Sequence, residues 1–188
     1  HLLNMPGRFS YRRKHEPLSV AQSLVARHLL EDGIALVHIA KLFPVAMFEE
    51  LAHGANERMS RDAVQDRIAG LKNPRTQNAM GKKKMSFLVD LWGGEHEIDL
   101  ASPFTRFSLS QPVLNIVNAY LETFAHFREF FLQVTVPTPP GMSPYASQRW
   151  HADPDDHRLV KVFLYLNDVD EHTGPFTYIR GSHGQGRN

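Results

Sequence analysis

The chain has 188 residues, enough for one domain with a sizeable core, and its 42% apolar and 22% charged residues are ordinary for a globular protein. A net charge of +1 gives no general attraction to nucleic acid or to an anionic membrane. The absence of cysteine excludes disulfides, thiolate metal sites and cysteine nucleophiles, and it favours a cytoplasmic protein. No apolar run reaches the ~18 residues of a membrane span, so we expect no membrane partner.

The first half of the chain has mainly helical patterns. Residues 1–16 are polar and basic, and they predict a solvated arm. Gly33 stands where a helix would end, and Ile34–Ile39 then predicts a short strand. The spacing of apolar residues predicts three amphipathic helices, over Leu18–Leu30, Val45–Met59 and Asp62–Ala69.

The middle of the chain alternates between loops, strands and one helix. The polar residues 70–85 predict a surface loop, and the four prolines and one glycine of Pro137–Tyr145 predict another. Apolar residues on one face predict a helix over Ser110–Tyr120. Strands are predicted over Phe87–Trp92 and Phe130–Val136.

The last quarter of the chain is strand-like. Its apolar alternation predicts strands over Gln148–Asp153, Leu159–Asn167 and Phe176–Ile179. Helices first and antiparallel strands later predict a mainly β fold with flanking helices. The expected architecture is a double-stranded β-helix, which is a cupin-like jelly roll.

One segment of this quarter carries candidate chemistry. His151 and Asp153 are two residues apart, and on a strand such side chains project from the same face. One further histidine would complete a facial triad, which binds iron(II) and leaves three positions for a cosubstrate and dioxygen. The spacing alone is common by chance, and a histidine bonded to a nearby carboxylate is the simpler interpretation of it.

The predicted strand after this pair divides by face. Val160, Val162, Leu164 and Leu166 form an aliphatic face that should pack against helices. The opposite face should line a cavity that holds the metal, and it presents Lys161, Phe163 and Tyr165. A buried lysine requires an anion, and a cosubstrate carboxylate is one candidate. The alternative is that the ammonium group of Lys161 reaches water at the end of the strand.

The run "QRWHADPDD" and the later "VKVFLYLNDVDEHTGPFTYIRGSH" resemble the phytanoyl-CoA dioxygenase family of iron(II) and 2-oxoglutarate-dependent oxygenases. The earlier "EDGIALVHIAKLFPVAMFEEL" is similar to the usual opening of that family. The resemblance implies a single oxygenase domain over residues 1–188. Its N-terminal part, residues 17–125, would be mostly helical, and residues 126–188 would be the first part of a jelly-roll core.

The resemblance also assigns site residues. His151 and Asp153 would be catalytic iron ligands, and Phe163 would line the active site. Lys161 and Gln148 are candidates for binding or orienting the cofactor groups. Trp150 and Tyr165 would complete the substrate pocket, although Trp150 could equally be a packing residue.

The family has a third iron-binding histidine tens of residues further on, followed by an arginine that binds 2-oxoglutarate. Neither falls within residues 1–188, so we expect the jelly roll to be truncated at its C-terminus. We do not expect His157 or His183 to replace the missing ligand.

The implied cofactors are iron(II), with 2-oxoglutarate and dioxygen as cosubstrates. The implied reaction hydroxylates a small organic molecule while 2-oxoglutarate is decarboxylated to succinate. One alternative is a cupin-type metalloenzyme that does not use 2-oxoglutarate. Another is a non-catalytic jelly-roll binding domain that has lost the third ligand. The short basic runs disfavour a nucleic-acid substrate, and neither the substrate nor the oligomeric state follows from the motifs.

Overall fold

A computed structural model describes residues 5–72, 87–92, 98–137, 146–153 and 158–187. About half of these residues are helical, and two short strands form one small antiparallel sheet. The helices within the described ranges are α1 Met5–Lys14, α2 Val20–Asp32, α3 Val45–Met59, α4 Asp62–Lys72, α5 Pro103–Ser108 and α6 Gln111–Leu121. The strands are β1 Leu88–Asp90 and β2 Gln133–Thr135, and 3-10 turns cover Ile39–Lys41, Ala146–Gln148 and Ser182–Arg187.

Helix α2 shows how local sequence sets the ends of an element. The backbone N–H of Gln22 donates to the Ser19 hydroxyl at 3.2 Å, and the Ser19 N–H donates to the Gln22 side chain at 3.0 Å. This reciprocal pair satisfies two N–H groups that a helix start leaves without partners. At the other end, Gly33 adopts a left-handed backbone with φ of 75° and donates to the Leu29 carbonyl. The predicted helix is therefore confirmed, shifted by two residues.

The core lies between α3, α4, α5 and the sheet. Leu51 of α3 and Val89 of β1 are almost completely buried, and Trp92 packs edge-on against Phe104 of α5 at 5.4 Å. β1 and β2 run antiparallel, with Val89 opposite Val134. The predictions of a helix over Val45–Met59, and of strands and a helix in the middle of the chain, are confirmed with shorter strands than expected.

Two predictions for the first half are wrong. Residues 34–38 form no strand, and the chain enters a 3-10 turn at Ile39. The N-terminal residues form helix α1 where a solvated arm was expected. Tyr11 packs edge-on against Phe124 at 5.6 Å, and Arg8 forms an ion pair with Glu122. These two contacts fix a helix whose own apolar content is too low to predict it.

The predicted jelly roll is wrong. Residues 149–153 and 159–179 run as irregular chain, and Gln148 ends a 3-10 turn, so the described residues form none of the three strands expected after residue 147. Alternating apolar side chains indicate only that one side of the backbone is buried. A strand also needs a neighbouring strand that accepts and donates its backbone hydrogen bonds, and the alternation does not predict one.

The chain after residue 157, here called the C-terminal arm (residues 158–180), is held on the helices by side chains. Leu164 and Leu166 pack against the core. Arg158 donates to the Tyr120 carbonyl at 2.9 Å, at the end of α6. Arg180 forms an ion pair with Asp32 at 2.7 Å, at the end of α2.

Residues 70–72 of the first predicted loop continue helix α4, so the prediction is wrong there. Residues 73–85 of that loop and residues 138–145 of the second lie outside the described residues, as does His157. No helix in the described part of the chain is long and apolar enough to cross a membrane. The proposed boundary between residues 125 and 126 stays a prediction.

Leu51→Ala tests the core. Leu51 is 1% exposed, so we expect its truncation to lower the free energy of unfolding by about 2–5 kcal/mol, measured by chemical denaturation. Leu36→Ala is the matched control, because Leu36 is 87% exposed and its truncation should cost less than about 0.5 kcal/mol. Equal losses in the two variants would contradict this core.

Gly33→Ala tests the contact between α2 and the end of the C-terminal arm. A Cβ at residue 33 would overlap the His183 ring and the Tyr178 hydroxyl, whereas a Cβ at Gly181 meets open space. Both glycines have positive φ, which costs another residue roughly 1–2 kcal/mol. We therefore expect Gly33→Ala to destabilise the protein more than Gly181→Ala does. Equal denaturation midpoints would show that the overlap is absent.

Candidate functional site

His151 and Asp153 lie on an open, irregular stretch that follows the 3-10 turn of Ala146–Gln148. The strand that motivated the pairing is absent, but the two side chains still meet. His151 Nε2 and Asp153 Oδ1 are 3.8 Å apart. Both side chains are partly exposed, at 48% and 32%.

A backbone carbonyl sets the tautomer of His151. Its Nδ1 lies 2.7 Å from the carbonyl oxygen of Arg149. A carbonyl only accepts, so Nδ1 must carry the hydrogen and donate. In the neutral ring, Nε2 then holds a lone pair that faces the Asp153 carboxylate. Their separation of 3.8 Å is too long for a hydrogen bond. Because Nε2 carries a lone pair and the carboxylate a negative charge, a cation between the two atoms would be stabilised.

Lys161 occupies the other oxygen of the same carboxylate. Its Nζ lies 2.8 Å from Asp153 Oδ2, while Oδ1 faces His151. The Lys161 side chain is 47% exposed, so solvent screens the pair and its net contribution to stability is small. The pairing nevertheless orients the carboxylate. The predicted role of Lys161 in binding a cosubstrate stays a prediction.

The two ligand atoms lie slightly further apart than one metal ion requires. Metal bonds of about 2.0–2.2 Å to nitrogen and oxygen place neighbouring ligand atoms about 3 Å apart in an octahedral facial triad and about 3.5 Å apart in a tetrahedral site. Nε2 and Oδ1 are 3.8 Å apart, so the two side chains must move closer together to bind one ion. The hydrogen bond from Nδ1 to a carbonyl is the partner that metal-binding histidines usually have. Within the described ranges, no group of three or more His, Cys, Asp or Glu side chains is placed to hold a metal.

The predicted pocket residues lie on the exposed side of the C-terminal arm. Phe163 stacks on Phe176 with ring centroids 4.6 Å apart, and the Tyr165 hydroxyl accepts a hydrogen bond from the Phe176 N–H. Phe163 and Tyr165 remain about half exposed, and Trp150 is 68% exposed. The role of these three residues with a substrate stays a prediction.

The predicted division of faces is only partly observed. Lys161, Phe163 and Tyr165 are all exposed, and Leu164 and Leu166 contact the core as expected. Val162 departs from the pattern, with 53% of its surface exposed. Gln148 has an exposed side chain at the end of its 3-10 turn.

Sequence reasoning missed the residues that fix the C-terminal arm. The guanidinium of Arg180 donates to Asp32, and this hydrogen bond lowers the pKa of that carboxyl below its usual value. Nearby, His183 Nε2 lies 3.2 Å from the Leu30 carbonyl oxygen, which is a hydrogen-bond contact with the last turn of α2. These pairs join distant parts of the chain, and no local pattern marks either partner.

No protein-family model, curated protein or solved structure matches this chain. The resemblance to the oxygenase family therefore rests on the short motifs of the sequence. The chemical interpretation of the site rests on the geometry of His151, Asp153 and Lys161.

The tautomer of His151 is directly measurable. We expect ¹⁵N NMR, recorded above the usual histidine pKa of about 6.5, to show the hydrogen of His151 on Nδ1. His172, with a side chain that is 82% exposed, is the internal reference and should exchange between tautomers. A hydrogen found on Nε2 of His151 would contradict the site geometry, because that nitrogen would no longer offer a lone pair to a metal.

Proposed function

We propose that the chain belongs to a non-haem iron(II) and 2-oxoglutarate-dependent dioxygenase of the phytanoyl-CoA dioxygenase kind, with His151 and Asp153 as two of its iron ligands. The observation that carries the proposal is that His151 Nε2, left without a hydrogen by the Nδ1 contact, lies 3.8 Å from Asp153 Oδ1. Iron(II) with 2-oxoglutarate and dioxygen would supply the oxidising chemistry that hydroxylates a small organic substrate and leaves succinate.

Each residue of the site has a role that follows from its contacts. The Arg149 carbonyl orients the imidazole ring through Nδ1 and so directs Nε2 outward. Lys161 holds Oδ2 of Asp153, which leaves Oδ1 as the ligand atom. Binding through one oxygen keeps further positions on a metal open for small molecules.

The proposal does not depend on the jelly roll, which the helical architecture contradicts. Its support is the order of motifs around His151 together with the geometry of three side chains. The substrate is proposed only as a small molecule. The cytoplasmic location suggested by the lack of cysteine stays a prediction.

A second candidate is a non-catalytic binding domain. The ion pair between Lys161 and Asp153 favours it, because an ammonium at 2.8 Å already neutralises the carboxylate without a metal. In this interpretation His151 and Asp153 are surface residues, and the exposed aromatic side chains of the C-terminal arm carry the function.

Anaerobic titration with iron(II) and 2-oxoglutarate separates the two candidates. The proposal predicts a weak visible charge-transfer band when both are added, and loss of that band in His151→Ala and in Asp153→Ala, because each variant removes one metal ligand. His172→Ala is the matched control, since this histidine is exposed and pairs only with Glu171 among the described residues. Its band should equal that of the unchanged protein.

The opposite outcome is equally informative. A folded protein that shows no band, or a band that persists in both ligand variants, would contradict the oxygenase proposal. The binding-domain candidate would then be favoured. Circular dichroism of each variant confirms that a lost band does not reflect a lost fold.

A further inference from the structure

A cavity of about 220 Å³ lies between helix α1 and helix α6, and it shares no residue with the site around His151. One wall is aromatic. The ring of Tyr11 packs edge-on against Phe124 and lies 4.9 Å from the ring of His15. Burial raises the pKa of the Tyr11 hydroxyl, and the charge of Glu122 raises it further, so this hydroxyl stays protonated at neutral pH.

The opposite wall carries amide side chains on successive turns of α6. The Gln111 side-chain nitrogen donates to Asn115 Oδ1 at 2.6 Å. This bond leaves Gln111 Oε1 as an acceptor and Asn115 Nδ2 as a donor, each without a hydrogen-bond partner among the described residues. Asn118 uses its Oδ1 to accept the Ala125 N–H at 2.7 Å, so its own Nδ2 remains a donor. The wall therefore presents an acceptor beside donors.

Size and charge restrict the ligand. Drug-sized ligands occupy pockets of about 300–1,000 Å³, so this cavity suits one ring or two fused rings. Lys14 and Glu16 at its edge carry opposite charges, which gives no preference for an anion or a cation. Aromatic faces favour a flat ligand, because planar rings stack on them.

We propose that this cavity binds a neutral, planar heteroaromatic ring with an amide edge, such as uracil or nicotinamide. The N–H and C=O of that edge would meet Gln111 Oε1 and Asn115 Nδ2, as adjacent donor and acceptor groups of a base meet an amide side chain. The ring itself would lie against Tyr11 and His15. This binding is independent of the proposed oxygenase activity and requires no metal.

Titration of the full chain with uracil tests the proposal, with binding measured by isothermal calorimetry and by saturation-transfer NMR. We expect saturable binding of one uracil. The matched ligand is 1,3-dimethyluracil, which keeps the ring and blocks both N–H groups. It should bind about two- to tenfold more weakly, because one hydrogen bond between the ligand and the exposed amide pair is lost.

Asn115→Asp tests the assigned residue, because it preserves the shape of the side chain and replaces the Nδ2 donor with an acceptor. We expect it to weaken uracil binding by about tenfold. Asn56→Asp makes the same change on the exposed surface of α3 and should leave binding unchanged.

Failure of uracil and nicotinamide to saturate the protein would overturn the proposal. Equal affinity for dimethyluracil would overturn it as well, since the amide edge would then not be recognised. The comparison of the two ligands uses the unchanged protein, so it stands even if Asn115→Asp fails to fold. Unchanged affinity in a folded Asn115→Asp protein would overturn the assignment of the donor.

Discussion

The C-terminal arm, residues 158–180, forms no strand ladder with any described part of the chain, and this constraint shapes the rest of the structure. Side chains must hold it. Arg158 donates to the Tyr120 carbonyl at the end of α6, and Arg180 and the Gly181 N–H bind Asp32 at the end of α2. Carbonyl groups at helix ends lack partners within the helix. Arg158 and the Gly181 N–H each donate to such a carbonyl, whereas Arg180 pairs with the Asp32 carboxylate. Leu164 and Leu166 anchor the middle against the core.

The candidate site depends on this attachment. Lys161 lies only three residues before Leu164, and this partly buried leucine, packed against the core, limits how far the ammonium group can move from Asp153. The same arrangement keeps the site near the surface, where solvent screens its charges and no single ion pair contributes much stability. Two contacts set the orientation of this surface pair. His151 Nδ1 contacts the Arg149 carbonyl, and Asp153 Oδ2 contacts the Lys161 ammonium group.

The sequence predicted those elements whose signals are local. Helix α3 followed from the spacing of its apolar residues, and the end of α2 followed from Gly33. Helix α1 and the short α5 escaped prediction because one is polar and the other spans only six residues. The last quarter was misjudged for a different reason. Alternation from Val160 to Leu166 predicts one side toward a core, and Leu164 and Leu166 do pack there while Val162 is exposed. The neighbouring strand that would make this stretch part of a sheet is not encoded in that pattern.

The candidate site shows the same limit. The proximity of His151 and Asp153 was predicted from strand geometry, whereas here it arises on an irregular stretch, with the carboxylate bound by Lys161. The ion pair of Arg180 with Asp32 could not be predicted, because neither residue belongs to a local motif. The cavity beside Tyr11 was missed as well, since it required a helix where a solvated arm was expected.

The central claim is that His151 Nε2 and Asp153 Oδ1 bind one metal ion together, and X-ray absorption at the iron edge tests it most directly. For the anaerobic iron(II) complex, the account predicts a first shell of oxygen and nitrogen at about 2.0–2.2 Å with the outer scattering of one imidazole ring. That imidazole signal should vanish in His151→Ala. A shell of oxygen atoms alone in the unchanged protein would contradict the account, because it would mean that the histidine does not bind the metal.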